Sequence, residues 1–310
     1  MSKWFLFSFL LSLVLSAYNM FGCTGETSKE PASPKTTQPK PEEVALSDER
    51  RSVTLKFGKE ETAKSVSIGE LVDAHGLESW SAYDSYYKKE KSWKSIRLLP
   101  VIKSMFKLNA EQMRTKSFMM RASDGYSVLI RGDQLLEDDA YLAVEDNEHP
   151  DWELVGEQKA NPGPVYMIWK KPEHHDLHAW PRPWQLAHIE IATFEEAYAK
   201  IIPQNIEEDS LAAKGFELFK HNCVRCHAVN RQGGRLGPEL NVPQNITEYR
   251  PEEQIKAYIK NPLTFRYGSM PAFEQFEPEE LDAIVAYFKV MRDQKFDPAS
   301  ESESDTNSDG

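Results

Sequence analysis

Cysteine is scarce in this chain: three residues in 310. That is too few for a disulfide framework. None occurs between Cys23 and Cys223, so that whole stretch can supply neither a thiolate nucleophile nor a thiolate ligand. Basic charge is also in deficit. Thirty-seven Lys and Arg face 49 Asp and Glu, a formal net charge of -12. This argues against a nucleic-acid partner, which needs a basic face for phosphate. An acidic surface keeps a protein soluble and can steer a basic partner protein. A comfortable membrane span is missing too, since the one long apolar run falls short of ~20 residues. With 40% hydrophobic and 28% charged residues, collagen, coiled-coil and wholly disordered chains are excluded. The length predicts about two domains.

What is present begins with a targeting segment. Lys3 precedes an apolar run from Trp4 to Leu15, the pattern of an export signal over residues 1–22. The run stops at Met20-Phe21-Gly22-Cys23, which resembles the lipobox of bacterial lipoproteins. The resemblance implies cleavage before Cys23, a diacylglyceryl group on its thiol and a place on the periplasmic face of a membrane. Thr24, rather than Asp, implies the outer membrane. Residues 23–49 are rich in Pro, Thr, Lys and Glu and poor in apolar side chains, a lipidated flexible tether. Residues 296–310 read as a disordered acidic tail.

The strongest motif is Cys223-Val224-Arg225-Cys226-His227. C-x-x-C-H is a c-type haem attachment pattern: cysteines three apart share a helical turn, and the adjacent histidine offers an imidazole nitrogen to iron. The same residues could instead form a redox dithiol or half of a zinc site. The first expects a βαβ context and the second needs another ligand pair.

The flanks resemble class I cytochrome c over residues 208–293. Gly215 and Phe219 lie on a helix predicted over 208–221, and the resemblance implies that Gly215 lets the C-terminal helix cross closely. Gly233-Gly234-Arg235-Leu236-Gly237-Pro238 is similar to the loop whose proline carbonyl accepts the proximal histidine's other N–H, which gives that part to Pro238. Tyr267-Gly268-Ser269-Met270-Pro271-Ala272-Phe273 is similar to the methionine loop, which makes Met270 the sixth ligand opposite His227. Met291, inside a helix, and His221, beside the attachment site, are the competitors. A further helix is predicted over 251–260. Pro278 opens the last one, with Leu281, Ile284, Val285, Phe288 and Met291 on one face. Tyr287 sits where the family carries an aromatic at the helix crossing.

Residues 50–200 read as an α+β domain, and residues 207–295 as the all-α cytochrome domain. Val53–Phe57 alternates as a strand, Ser67–Ala74 and Leu99–Phe106 read as helices, and Ser127–Ile130 and Val165–Trp169 as buried strands. Ala122-Ser123-Asp124-Gly125-Tyr126, Pro162-Gly163-Pro164 and Trp180–Trp184 before Leu186 resemble the molybdopterin-binding domain of the sulfite-oxidase type. That family holds molybdenum through a cysteine thiolate, and this region has no cysteine. The expectation is therefore a cofactor-free module. His174, His175, His178 and His188 cluster near its end. His174 and His178 would bind a metal only on a helix face, and Pro172, Pro181 and Pro183 predict a loop instead. Trp169, Trp180 and Trp184 fit core packing, or a docking patch.

These readings predict a lipid-anchored carrier of single electrons through one His/Met-ligated haem c, with the middle domain as a docking or accessory module. They favour an electron-transfer protein over an enzyme with its own substrate, without deciding between them. Its partners would be redox proteins of a respiratory chain or a periplasmic dehydrogenase. The alternative is an oxidoreductase whose middle domain binds a substrate or molybdopterin-type cofactor and feeds the haem. A haem-based sensor remains if Met270 is not the ligand.

Overall fold

The computed structural model describes residues 45–156, 158–266, 268 and 270–297. The signal segment, Cys23, most of the tether and residues 298–310 lie outside the described residues.

The middle region contains two sheets. The first has the order β2-β1-β9-β5-β6. Its strands are β1 (Thr54–Phe57), β2 (Lys64–Ser67), β5 (Ser117–Ala122), β6 (Ser127–Arg131) and β9 (Leu186–Ile191). All its pairs are antiparallel except β1 with β9, where Phe57 lies opposite Ile189. The second sheet, β3-β4-β7-β8, is antiparallel throughout. It comprises β3 (Glu78–Asp84), β4 (Lys89–Arg97), β7 (Ala140–Asp146) and β8 (Tyr166–Trp169). Short helices α1 (Asp48–Ser52), α2 (Ile68–His75), α3 (Leu98–Phe106), α4 (Ala110–Arg114), α5 (Gly132–Leu135) and α6 (Phe194–Tyr198) connect and flank them.

Strand period two explains the layering. On β7 and β8, Leu142, Val144, Met167 and Trp169 enter the main core, while Tyr141, Ala143, Tyr166 and Ile168 enter an aromatic cluster around Trp93 and Trp152. Buried on both faces, these strands read as unbroken apolar runs. On β5 and β6, Phe118, Met120, Val128 and Ile130 face the same main core. Met119 and Leu129, pointing the other way, join a second core that belongs chiefly to the C-terminal region. The two regions therefore share apolar packing within one compact unit of the chain.

The C-terminal region is helical, with α7 (Leu211–Asn222), α8 (Ile246–Tyr249), α9 (Glu252–Lys260) and α10 (Pro278–Arg292). A two-residue pair, β10 (Ala228–Val229) with β11 (Gln232–Gly233), follows the C-x-x-C-H turn. Helices α7 and α10 cross at Gly215, where an added Cβ would lie 1.9 Å from the Ala283 carbonyl oxygen. Phe219 packs against Tyr287 and Phe288, with ring centroids 5.2 and 5.9 Å apart. The Tyr287 hydroxyl donates to the Ile201 carbonyl at 2.8 Å, so this buried polar tip is satisfied.

Both ends of the fold reach further than expected. Residues 45–49 are part of it, not of the tether, because Leu46 packs on the main core and Lys94 Nζ donates to the Ala45 carbonyl. Residues 296 and 297 likewise precede the acidic tail. The Phe296 amide donates to Asn230 at 3.0 Å, and Asp297 pairs with Arg231 at 2.9 Å. The histidines do not converge. His174 is buried against Asp139 at 2.7 Å and stacked on Trp180, and His188 lies 2.6 Å from the Gly58 carbonyl oxygen. Among the described residues, no group of three His, Cys, Asp or Glu side chains is placed to hold a metal ion.

Candidate haem site

Helix α7 ends at the attachment motif, and its winding continues through it. The Cys223 amide donates to the Phe219 carbonyl at 2.8 Å, and the His227 amide to the Cys223 carbonyl at 2.9 Å. This tight turn brings Cys223, Cys226 and His227 to the wall of one cavity of about 620 Å³. Its walls are largely apolar, with Leu240, Ile246, Ile255, Ile259, Ile284 and Phe288 among them. That size and lining suit a bound organic cofactor.

The electrostatics bear on the redox reading of the motif. Burial pushes the Cys223 thiol up to about 12, with Cys226 adding to it, and the Cys226 thiol up to about 11 against the pull of Arg225. A reactive redox dithiol needs the opposite shift, and a zinc site needs further ligands, whereas among the described residues no three His, Cys, Asp or Glu side chains are placed to hold a metal ion. Uncharged thioether sulfurs fit these walls. Burial likewise holds His227 below its ordinary range, outweighing the Pro238 hydrogen bond and the Glu239 charge. Its Nδ1 lies 2.9 Å from the Pro238 carbonyl oxygen, so the neutral ring donates there and keeps Nε2 as its free lone pair. Gly237 seats the ring: a Cβ there would stand 2.3 Å from His227 Cε1.

Met270, half-buried and packed on the second core, lines the same cavity with Pro271 and Phe273. The competitors do not. Met291 is buried in α10, where its carbonyl accepts from Asn241, and the exposed His221 ring lies 3.5 Å from Glu217. Every side chain the sequence assigned to the haem is therefore at the cavity. These groups fit haem c: two cysteine sulfurs that could be alkylated, an oriented imidazole and a methionine thioether that could bind iron.

Several contributors carried no motif. Arg250 and Arg266 reach the cavity rim, and Arg266 Nε donates to the Tyr258 hydroxyl at 2.9 Å. Two cations at the rim suit the cofactor's carboxylates. Asn241 and Asn245 donate to the Met291 and Phe288 carbonyls at 2.8 Å each, tying the loop after Pro238 to the end of α10. Their spacing of four was the available signal. Glu239 accepts from the amides of Asn230, Arg231, Asn241 and Val242, which fixes the loop carrying Pro238.

The C-terminal helical region carries a cytochrome c domain. Residues 210–288 match the family model described as cytochrome C oxidase, cbb3-type, subunit III, about a quarter of the chain. A domain of that family implies haem c binding and haem-based electron transfer. It follows here a mixed α/β region.

Proposed function

We propose that the protein is a lipid-anchored c-type cytochrome of the periplasm, which passes single electrons through one haem held by Cys223 and Cys226 and ligated by His227 and Met270. The observation that carries this reading is the convergence of these four side chains on one apolar cavity, with His227 oriented by Pro238. The haem supplies the one-electron ferric–ferrous couple. The chain's residues would supply a largely apolar site and two donors to the iron, His227 and Met270, leaving no position for substrate turnover, and the methionine thioether would favour the ferrous state.

The export pattern and Cys23 support the anchor, at the outer membrane by the Thr24 rule. The middle region is read as a sulfite-oxidase-type module without its metal-binding cysteine, serving as a docking or accessory element for redox partners. Metal analysis of purified protein tests the choice. One iron per chain without molybdenum supports the carrier, and stoichiometric molybdenum would favour the oxidoreductase alternative. Radiolabelled fatty acid should enter wild type and not Cys23→Ser, and no incorporation would reject the anchor.

A further inference from the structure

The haem motif is clasped by the middle region. Arg225, one of its two variable residues, lies at the centre. The Ser127 amide, at the start of β6, donates to the Arg225 carbonyl at 3.0 Å, and the Arg235 amide donates to the Gly125 carbonyl at 2.7 Å. Arg225 Nη2 donates to the His178 carbonyl at 2.9 Å, and His178 Nε2 lies 3.2 Å from Asn222 Oδ1. The start of β6 and the turn before it thus hold the attachment turn and the loop after it through backbone groups, which a side-chain rearrangement does not release, while the His178 segment holds the turn through the Arg225 and Asn222 side chains.

The fit is close. Gly125 adopts φ +97°, and an added Cβ would stand 2.9 Å from the Arg235 backbone. Tyr86 and Tyr126 close the Cys226 side. Burial, then Asp84 and the nearby Cys226 thiol, push the Tyr86 phenol up to about 12, and burial raises Tyr126 still further. Trp184 stands edge-on to Tyr86, 4.6 Å between centroids. Behind the clasp, Met119 and Leu129 continue into the core that holds Phe219 and Tyr287.

We propose that the middle region is a fixed cover over the Cys226 side of the haem site, latched at Arg225, and that it raises the haem's reduction potential by excluding water there. The inference rests on the haem reading above. Its physics is that a less hydrated site disfavours the more charged ferric state. It assigns the middle region a role that needs no cofactor of its own.

The test uses the holoprotein. In wild type, the Ser127 and Arg235 amides should exchange with solvent as slowly as those of β5. Gly125→Val wedges the clasp while leaving every charge in place. Spectroelectrochemical titration should show its ferric-to-ferrous ratio, at the wild-type midpoint, rising about tenfold, equivalent to about 59 mV for a one-electron couple. Arg225→Gln should shift the same way. Freely exchanging wild-type amides would overturn the cover even if the variants do not fold. So would a folded Gly125→Val with opened amides and an unchanged potential. A chain that carries no covalent haem when exported would instead defeat the haem reading itself.

Discussion

Replacing Gly215 with alanine separates two roles by the sign of the effect. In an ordinary helix interior, Gly→Ala stabilises by about 0.5–1 kcal/mol through propensity and unfolded-state entropy. Here the new Cβ would meet the Ala283 carbonyl oxygen at 1.9 Å and its carbon at 2.4 Å. Backbone of a packed helix cannot rotate aside, so α10 must retreat by roughly 1.5 Å to reach ordinary contact. That retreat loosens Phe219, Ile284, Tyr287 and Phe288, all buried. Overpacking costs about 1–3 kcal/mol, and partial exposure of four large side chains, each worth about 1.5–3 kcal/mol when fully buried, adds to it. After the propensity gain, a net loss of about 2–3 kcal/mol is expected. Urea unfolding of the holoprotein, followed by far-UV circular dichroism, measures it. A variant as stable as wild type, or more stable, would refute the crossing role of Gly215.

Met270→Ala should keep the covalent haem but remove the weak far-red band that, by resemblance to class I cytochromes c, marks methionine ligation; its persistence would reassign the sixth ligand. Lys91→Ala strands the fully buried Asp146, now paired at 2.7 Å, and should cost about 3–5 kcal/mol in urea unfolding. Hydrogen bonds from Lys89 and then Lys91 hold Glu153 down to about 2, so its contribution to stability is present above its ordinary value of 4.5 and fades as pH falls towards 2. Unfolding midpoints at pH 5 and pH 3 should therefore differ less in Glu153→Gln than in wild type.

The haem site was legible in the sequence because its chemistry is written in short segments. The attachment turn has a spacing that helical geometry explains, and Gly215, Pro238 and Met270 each sit in a short segment that resembles class I cytochrome c. The three longer helices of the C-terminal region and the strands β1, β6 and β8 were legible because burial follows periods of 3.6 and two, whereas α8 and the other strands of the middle region were not. Long-range partners were not. Nothing near Arg225 announces that β6 and the loop carrying His178 will hold it. The outward turn of Met119 and Leu129 into a second core follows from strand period two, but only once the sheet's neighbours are known. The histidines show the converse. Their clustering in sequence suggested a shared site, yet His174 is consumed by Asp139 and Trp180 while His178 turns towards Asn222. The reach of the fold to Asp297 was hidden because its pairing with Arg231 bridges 66 positions.

The central claim is a covalent haem at Cys223 and Cys226. Peptide mass spectrometry tests it most directly, on protein exported in a host that attaches haem c and treated with iodoacetamide. The account predicts one peptide containing Cys223–His227 with the added mass of a single haem and no alkylation of either cysteine. Recovery of that peptide without haem, with both thiols alkylated, would contradict it.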